Sequence, residues 1–184
     1  MFRGNYIQGK FVEGGGSGGA GEWVARSPAD LSDVLGSVSY SFDAVDEAVH
    51  AAKKAQASWR RMSVADRASC LKRYQEQIRL REAEFCRLIA REVGKPLWEA
   101  KTEVSAMVNK VDITIQESMK LVQSVELPAV LPDTLGACHY RPHGVMAVIG
   151  PFNFPGHLPN GHIVPALLTG PRGDRAPGTQ EESQ

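Results

Sequence analysis

The sequence predicts an α/β protein in which a helical N-terminal segment precedes the first strand–turn–helix unit of a doubly wound, Rossmann-like sheet. Two observations support this prediction. Within residues 43–123, apolar residues recur at steps of three and four, which is typical of amphipathic helices. Residues 145–149 then form a continuous apolar run that ends at a Gly–Pro turn, and a helical pattern follows over residues 157–169.

Composition and charge exclude several classes of protein. Of the 184 residues, 42% are hydrophobic and 23% are charged, which places the chain among folded globular proteins. Lysine plus arginine and aspartate plus glutamate both number 21, so the basic excess of a nucleic-acid-binding protein is missing. No apolar run approaches the ~20 residues that span a bilayer, and the first ten residues lack the core of a signal peptide. We therefore expect a cytoplasmic protein without nucleic-acid or membrane partners.

The N-terminal region is predicted to be extended. Residues 5–12 have the pattern of two short strands joined by a turn at Gly9. The glycine-rich stretch that follows matches G-x-G-x-x-G at Gly14, Gly16 and Gly19. A phosphate-binding loop of that kind needs a helix directly after it, whereas residues 22–25 are strand-like. We interpret the stretch as the tip of a surface hairpin.

Four helical patterns follow in succession. The first has Asp43 as its candidate N-cap, and the second opens with a capping box in which Ser63 precedes Asp66. The third is terminated by Gly94, and the fourth extends over residues 97–123.

Beyond residue 127 the pattern changes to short extended segments. Residues 129–131, between two prolines, and residues 137–141 resemble strands, and 145–149 has the composition of a strand buried on both faces. Residues 171–184 contain no aliphatic side chain larger than alanine, so no second strand follows the helix over 157–169. We expect the sheet to be incomplete and the tail to be disordered.

The cysteines predict neither a disulfide framework nor a metal site. Cys70, Cys86 and Cys138 form an odd set without metal-ligand spacing, in a chain without a signal peptide. Free cysteines of this kind are most often small buried hydrophobic residues. We expect them to be reduced and structural, and we predict no metal site.

Several motifs resemble the NAD(P)-dependent aldehyde dehydrogenases. Residues 150–155, Gly-Pro-Phe-Asn-Phe-Pro, resemble the Pro-Trp-Asn-Phe-Pro segment of that family, with Phe152 in place of the usual tryptophan. Residues 6–12, 42–59, 92–96 and 141–145 resemble its opening hairpin, its first helix, its Glu-x-Gly-Lys-Pro turn and its approach to the cofactor domain. Within the family, residues 154–163 and 98–104 are most similar to the succinylglutamate-semialdehyde dehydrogenases of arginine breakdown.

The resemblance implies roles for the residues of this turn. In the family the motif asparagine donates a side-chain N–H to the oxyanion, and here that role falls to Asn153; the alternative is that Asn153 only caps the following helix. Phe154 and His157 would line the aldehyde entrance, although packing and helix-start roles compete. The backbone of four residues would lie near NAD or NADP, namely Ile149, Gly150, Pro151 and Phe152.

The resemblance also implies what the chain does as a whole. Family members are homo-oligomers that oxidise an aldehyde through a cysteine thiohemiacetal, with a glutamate as general base. Counterparts of that cysteine and that glutamate are expected beyond residue 170 and do not occur here, so we expect this chain alone to be inactive and not to bind NAD(P). The alternative is a non-catalytic interaction module that pairs with an intact homologue.

The same resemblance divides the chain into four predicted parts. Residues 1–127 form the N-terminal hairpin and helices, and 128–144 a bridging segment used in oligomerisation. Residues 145–170 begin the cofactor-binding domain, and 171–184 are an unmatched tail.

Overall fold

The computed structural model describes residues 4–12, 21–127, 134 and 136–170. Most of these residues form helices, accompanied by three two-stranded antiparallel sheets. The strand pairs are β1 (Asn5–Ile7) with β2 (Lys10–Val12), β3 (Gly21–Arg26) with β4 (Val34–Tyr40), and β5 (Val125–Leu127) with β6 (Gly136–Cys138). The helices are α1 (Asp43–Trp59), α2 (Val64–Leu80), α3 (Glu82–Val93), α4 (Leu97–Gln116) and α5 (His157–Thr169), with a 3₁₀ helix at Ser118–Val122.

Two predicted helix boundaries are confirmed by their capping geometry. At the start of α2, the Ser63 hydroxyl accepts a hydrogen bond from the backbone N–H of Asp66, which satisfies one of the free donors of the first turn. At the end of α3, Gly94 adopts a left-handed conformation with φ of 74°, where a residue with a Cβ would be strained.

Two other predicted boundaries are wrong. Asp43 is the first residue of α1 and not its N-cap; its backbone N–H donates instead to the hydroxyl of Ser41. The fourth helix does not continue to residue 123, because α4 ends at Gln116 and the chain tightens into the 3₁₀ helix. Helix ends of this kind depend on which carbonyls find partners, and an apolar spacing does not encode them.

The core lies between α2, α3, α4 and α5 and has two parts. One part surrounds Ile78, Ile89 and Val104, and the other surrounds Leu71, Val111 and Val164. Helix α1 contributes no buried residue, and its predicted apolar face remains largely open. The protein is therefore built on a layer formed by α2–α5, and α1 is attached at its side.

The predicted strand over 145–149 is not formed. These residues pair with no other strand within the described ranges, and Ile149 is 94% exposed. A strand is defined by its ladder of interstrand hydrogen bonds, so an apolar segment without a neighbour does not become one. The segment still leads into α5, which has the predicted bounds 157–169.

Of the remaining predictions, some are confirmed wholly or in part, and others concern residues that the structure does not describe. The hairpin over residues 5–12 is present, residues 22–25 lie within β3, and β6 occupies only the start of the predicted strand 137–141. The glycine-rich connector at 14–20, the segment 129–131 and the tail 171–184 lie outside the described residues.

Candidate functional site

The candidate site is the turn that precedes α5, and Asn153 lies at its outer surface. Its side chain is exposed, and it hydrogen-bonds to no side chain or backbone group among the described residues. Its backbone carbonyl, in contrast, accepts a hydrogen bond of 2.9 Å from the ammonium of Lys95. The Asn153 side chain is thus accessible to a ligand, while the Asn153 backbone is held by Lys95. Because that side chain hydrogen-bonds to no N–H at the start of α5, the helix-cap alternative receives no support.

A buried carboxylate lies beneath the turn. Glu103 is on the inward face of α4, next to Val104 and one turn from Met107, and its side chain is 0% exposed. One carboxylate oxygen accepts from the backbone N–H groups of Gly156 and His157, at 2.9 and 3.1 Å. These N–H groups are at the positive end of α5, where a negative charge is stabilised by the helix dipole.

The second oxygen of Glu103 pairs with Lys95. The ammonium nitrogen lies 2.8 Å from this oxygen, and the lysine side chain is only 7% exposed. The same ammonium lies 4.1 Å from the centre of the Phe154 ring, a cation–π distance. Lys95 therefore contacts the turn twice, at a carbonyl and at an aromatic face.

These partners determine the charge of Glu103. Burial raises its pKa, but the Lys95 hydrogen bond and the N–H groups of His157 and Gly156 lower it by more, so the pKa lies below the ordinary value of 4.5. Glu103 is consequently an anion at neutral pH, which keeps the ion pair intact.

Helix α5 is fixed to the layer by further polar contacts. The buried side chain of Asn160 donates to the carbonyl of Met107 at 3.1 Å and accepts from the Tyr74 hydroxyl at 2.8 Å. Burial raises the pKa of Tyr74, so this hydroxyl keeps its proton. At the other end of α5, the Trp59 indole donates to the carbonyl of Leu167.

Two glycines allow the close packing around the turn. A Cβ on Gly156 would lie 2.6 Å from the sulfur of Met107, so a larger residue there would force the Met107 side chain or α5 to shift. A Cβ on Gly150 would collide with the ring of Pro159. Packing therefore favours glycine at both positions.

The other sequence-predicted residues differ in how far they are buried and in what they contact. Phe154 is half-buried against Lys95, and the backbone N–H of His157 binds Glu103. The His157 ring is half-buried, and its buried Nδ1 has no hydrogen-bond partner in the described part of the chain. The side chains of Ile149 and Phe152 are more than nine-tenths exposed. The structure thus brings together Asn153, Phe154 and His157, and leaves the cofactor candidates on an open surface.

Among the described residues, the start of α5 does not form a cradle for a pyrophosphate. In a doubly wound fold the pyrophosphate binds at the N-terminus of the helix after the first strand. Here the N–H groups at the start of α5 are already bonded to the Glu103 carboxylate, which would repel a phosphate. Gly150 fits against Pro159 and does not open a cradle.

Two clefts lie elsewhere on the surface. One, of about 220 Å³, is bordered by Tyr140, Arg141, His143 and the end of α5. The other, of about 610 Å³, lies between β1, the open face of α1 and residues 145–147. Neither is lined by Asn153, Phe154 or His157.

The cysteines lie on separate elements. Cys86 is buried in the core, and burial, together with the charge of Glu82, raises its pKa. Cys70 is half-buried on α2, and Cys138 is exposed on β6. The raised pKa of Cys86 is the opposite of what an activated thiol needs.

Neither a cluster of metal ligands nor a membrane-spanning helix occurs among the described residues. Within ranges 4–12, 21–127 and 136–170, no group of three His, Cys, Asp or Glu side chains could bind a metal ion. No helix in the same part of the chain is long and apolar enough to cross a membrane.

Sequence reasoning missed Lys95 and Glu103. Lys95 belongs to the 92–96 motif, but the family resemblance assigns no role to it or to Glu103. A usable indication was present, because Ala100, Glu103, Val104 and Met107 follow the three- and four-residue steps of the buried face. A charge on such a face predicts a buried partner.

Comparison with known proteins agrees with this architecture. The model of the aldehyde dehydrogenase family matches residues 19–172. The N-succinylglutamate 5-semialdehyde dehydrogenase of Chromobacterium violaceum is 46% identical over 161 residues, covering 87% of this chain and 33% of that protein.

Solved structures give the same result. The NADP-dependent glyceraldehyde-3-phosphate dehydrogenase of Bacillus halodurans, complexed with NADP, is 26% identical with a TM-score of 0.78, covering 93% of this chain and 36% of that one. A putative methylmalonate-semialdehyde dehydrogenase of Sinorhizobium meliloti, complexed with NAD, is 28% identical with a TM-score of 0.75, covering 91% and 33%. This chain spans about a third of the length of the relatives it matches. With a fixed asparagine turn, a matching helical layer and a family match over most of its length, the chain belongs to the aldehyde dehydrogenase family.

Proposed function

We propose that this chain provides the oxyanion-donor turn of an NAD(P)-dependent aldehyde dehydrogenase that acts on a semialdehyde, with N-succinylglutamate semialdehyde as the first candidate. The observation that carries the proposal is the exposed Asn153 side chain on a backbone fixed by Lys95. The 46% identity to the Chromobacterium violaceum enzyme supports the choice of aldehyde.

The proposed chemistry assigns Asn153 a single role. When a thiolate attacks the aldehyde carbon, the carbonyl oxygen becomes an oxyanion, and the Asn153 side-chain N–H would donate to it. A fixed donor of this kind lowers the barrier by about 3 kcal/mol, because it costs no reorganisation during the reaction. Phe154 and His157 would face the aldehyde from the same turn.

The nucleophile and the general base would have to come from residues outside this chain. Cys86 is buried, and Cys70 and Cys138 lie on α2 and β6, away from the turn before α5. We therefore propose that the 184 residues alone neither oxidise aldehydes nor bind NAD(P). The four-part division of the chain, a homo-oligomeric state and a cytoplasmic location stay predictions.

The test joins residues 1–170 to the part of the Chromobacterium violaceum enzyme that follows its matched region. In this joined enzyme Asn153→Ala should lower kcat for N-succinylglutamate semialdehyde by about 100- to 1,000-fold, with a much smaller change in KM. Asn109→Ala, an exposed asparagine on α4, is the matched control and should keep full activity. Retention of kcat in the Asn153→Ala variant would contradict the proposed role.

A second candidate is a non-catalytic module that pairs with an intact homologue. It is favoured by the open apolar face of α1, where Val45 is 58% and Val49 40% exposed, and by exposed apolar residues on β5. Co-purification of the 184-residue chain with a full-length dehydrogenase would support it. A stable lone monomer in the presence of that dehydrogenase would count against it.

A further inference from the structure

The ion pair of Lys95 and Glu103 is directed at the turn that carries Asn153. Besides their mutual hydrogen bond, the two side chains make three hydrogen bonds to backbone groups, at the carbonyl of Asn153 and at the N–H groups of Gly156 and His157. The two charges therefore fix the turn at both of its ends.

Stability alone is a poor explanation for two such buried charges. Removing a lysine and a glutamate from water costs free energy that their attraction often only offsets, and an apolar pair of similar volume is frequently as stable. The buried positions next to Glu103 on α4 are in fact apolar, namely Ala100, Val104 and Met107. A charged pair provides something that an apolar pair cannot, which is directional hydrogen bonding to backbone groups of the turn.

We infer that Lys95 and Glu103 are positioning residues, which orient the side-chain amide of Asn153 for the oxyanion; this inference rests on the proposed function. Lys95 acts on the peptide plane between Asn153 and Phe154, because its ammonium binds the carbonyl of that plane and lies over the Phe154 ring. Glu103 acts on the start of α5, because its carboxylate binds the first N–H groups there.

Lys95 and Glu103 hold different parts of the turn. Fixing the plane that follows Asn153 restricts the direction of its Cα–Cβ bond, and hence the position that its amide N–H can reach. Fixing the start of α5 holds the far end of the same turn. An oxyanion donor is effective only when it is held in place before charge develops. The pair thus performs the supporting role that an exposed donor on a turn requires.

The test measures local order in the full 184-residue chain by NMR. In the Lys95→Met variant, which keeps the apolar stem but loses the donors, the order parameter of the Phe154 amide should fall from about 0.85 to below about 0.6. That amide reports on the peptide plane that contains the Asn153 carbonyl. Hydrogen exchange at Val104 and Val111, buried in α4, monitors global stability and should change far less. Lys101→Met, at an exposed position on the same helix, is the control.

A second variant keeps the test valid if Lys95→Met fails to fold with an unpaired carboxylate. The double variant Lys95→Met/Glu103→Gln leaves no unpaired buried charge, and its amide oxygen can still accept from Gly156 and His157. It should lose order at Phe154 while retaining protection at those two amides. Glu103→Ala should instead speed exchange at Gly156 and His157 by about tenfold or more.

Three results would overturn the inference: a rigid Phe154 amide in both lysine variants, a loss of protection that extends equally to Val104 and Val111, or failure of every variant to fold. Each result would mean that Lys95 and Glu103 only stabilise the fold in general and do not position Asn153. None of these readouts depends on activity. If Asn153→Ala is fully active in the joined enzyme, the proposed function fails while the local-order result stands by itself.

Discussion

The layer formed by α2–α5 and the segment 145–152 are both apolar, yet only the layer forms a buried core. Ile78, Val104 and Val111 in the layer are at most 1% exposed, whereas Ile149 and Phe152 in the segment are more than 90% exposed. The difference lies in the backbone. A helix completes its hydrogen bonds within itself and needs only a packing surface, while a strand needs a neighbouring strand as well.

This contrast explains why α5 is well placed although the segment before it is not. Asn160 binds both Tyr74 and Met107, and Glu103 binds the N–H groups at the start of the helix. These contacts all come from α2 and α4, so α5 needs no sheet to be positioned. The turn with Asn153 therefore marks the point where the chain passes from unsupported to supported structure.

The largest expected effect comes from replacing an isoleucine by alanine in each region, once in the α2–α5 layer and once in the segment 145–152. Ile78→Ala leaves a cavity in the core and should lower the free energy of unfolding by about 2–5 kcal/mol. Ile149→Ala should change it by less than about 0.5 kcal/mol, because the side chain is almost fully exposed. Urea unfolding followed by circular dichroism measures both. A large loss for Ile149→Ala would mean that the segment is packed in solution and that the contrast is wrong.

A second pair of variants tests how closely α5 approaches the layer. Gly156→Ala places a Cβ 2.6 Å from the Met107 sulfur and should lower the free energy of unfolding by about 1–3 kcal/mol. Gly161→Ala, inside α5 with nothing within 4 Å of the added atom, should raise it by about 0.5–1 kcal/mol. The same urea titrations compare the two alanines directly. Opposite signs support close packing at the turn, and a gain in both variants would refute it.

The parts of the fold that sequence predicts well are those with local causes. The bounds of α5, the Ser63 cap and the Gly94 terminus follow from apolar spacing and from residues adjacent in the chain. The strand over 145–149 was mispredicted because its formation depends on partners elsewhere, which a run of apolar residues does not supply. Local pattern gives the kind of element a segment prefers, and long-range pairing determines whether it forms.

The site shows the same division. Asn153, Phe154 and His157 lie within five consecutive residues and follow from the family resemblance of residues 150–163. Lys95, just before α4, and Glu103, on α4, are about 50–60 residues earlier in the chain, and they reach the turn because α4 packs against α5. Their contacts with the turn depend on the packing of helices that are distant in the chain, which sequence spacing does not predict. The charge of Glu103 on the buried face of α4 was nevertheless an indication that a buried partner exists.

The smallest expected effect, a dependence on pH, tests whether Glu103 joins the two regions as an anion. Because its folded pKa lies below the ordinary 4.5, the charged form stabilises the folded state above about pH 4.5, and this contribution is lost as the pH falls through the lower folded value. Glu103→Gln has the shape of the protonated acid. The difference in unfolding free energy between wild type and Glu103→Gln should therefore be largest near pH 7 and shrink as the pH falls below about 4.5. Glu92→Gln, which removes an exposed carboxylate, is the control for general charge effects and should show a much smaller trend. Urea titrations at several pH values measure this, and a difference that stays constant across the range would show that Glu103 does not stabilise α5 through its charge.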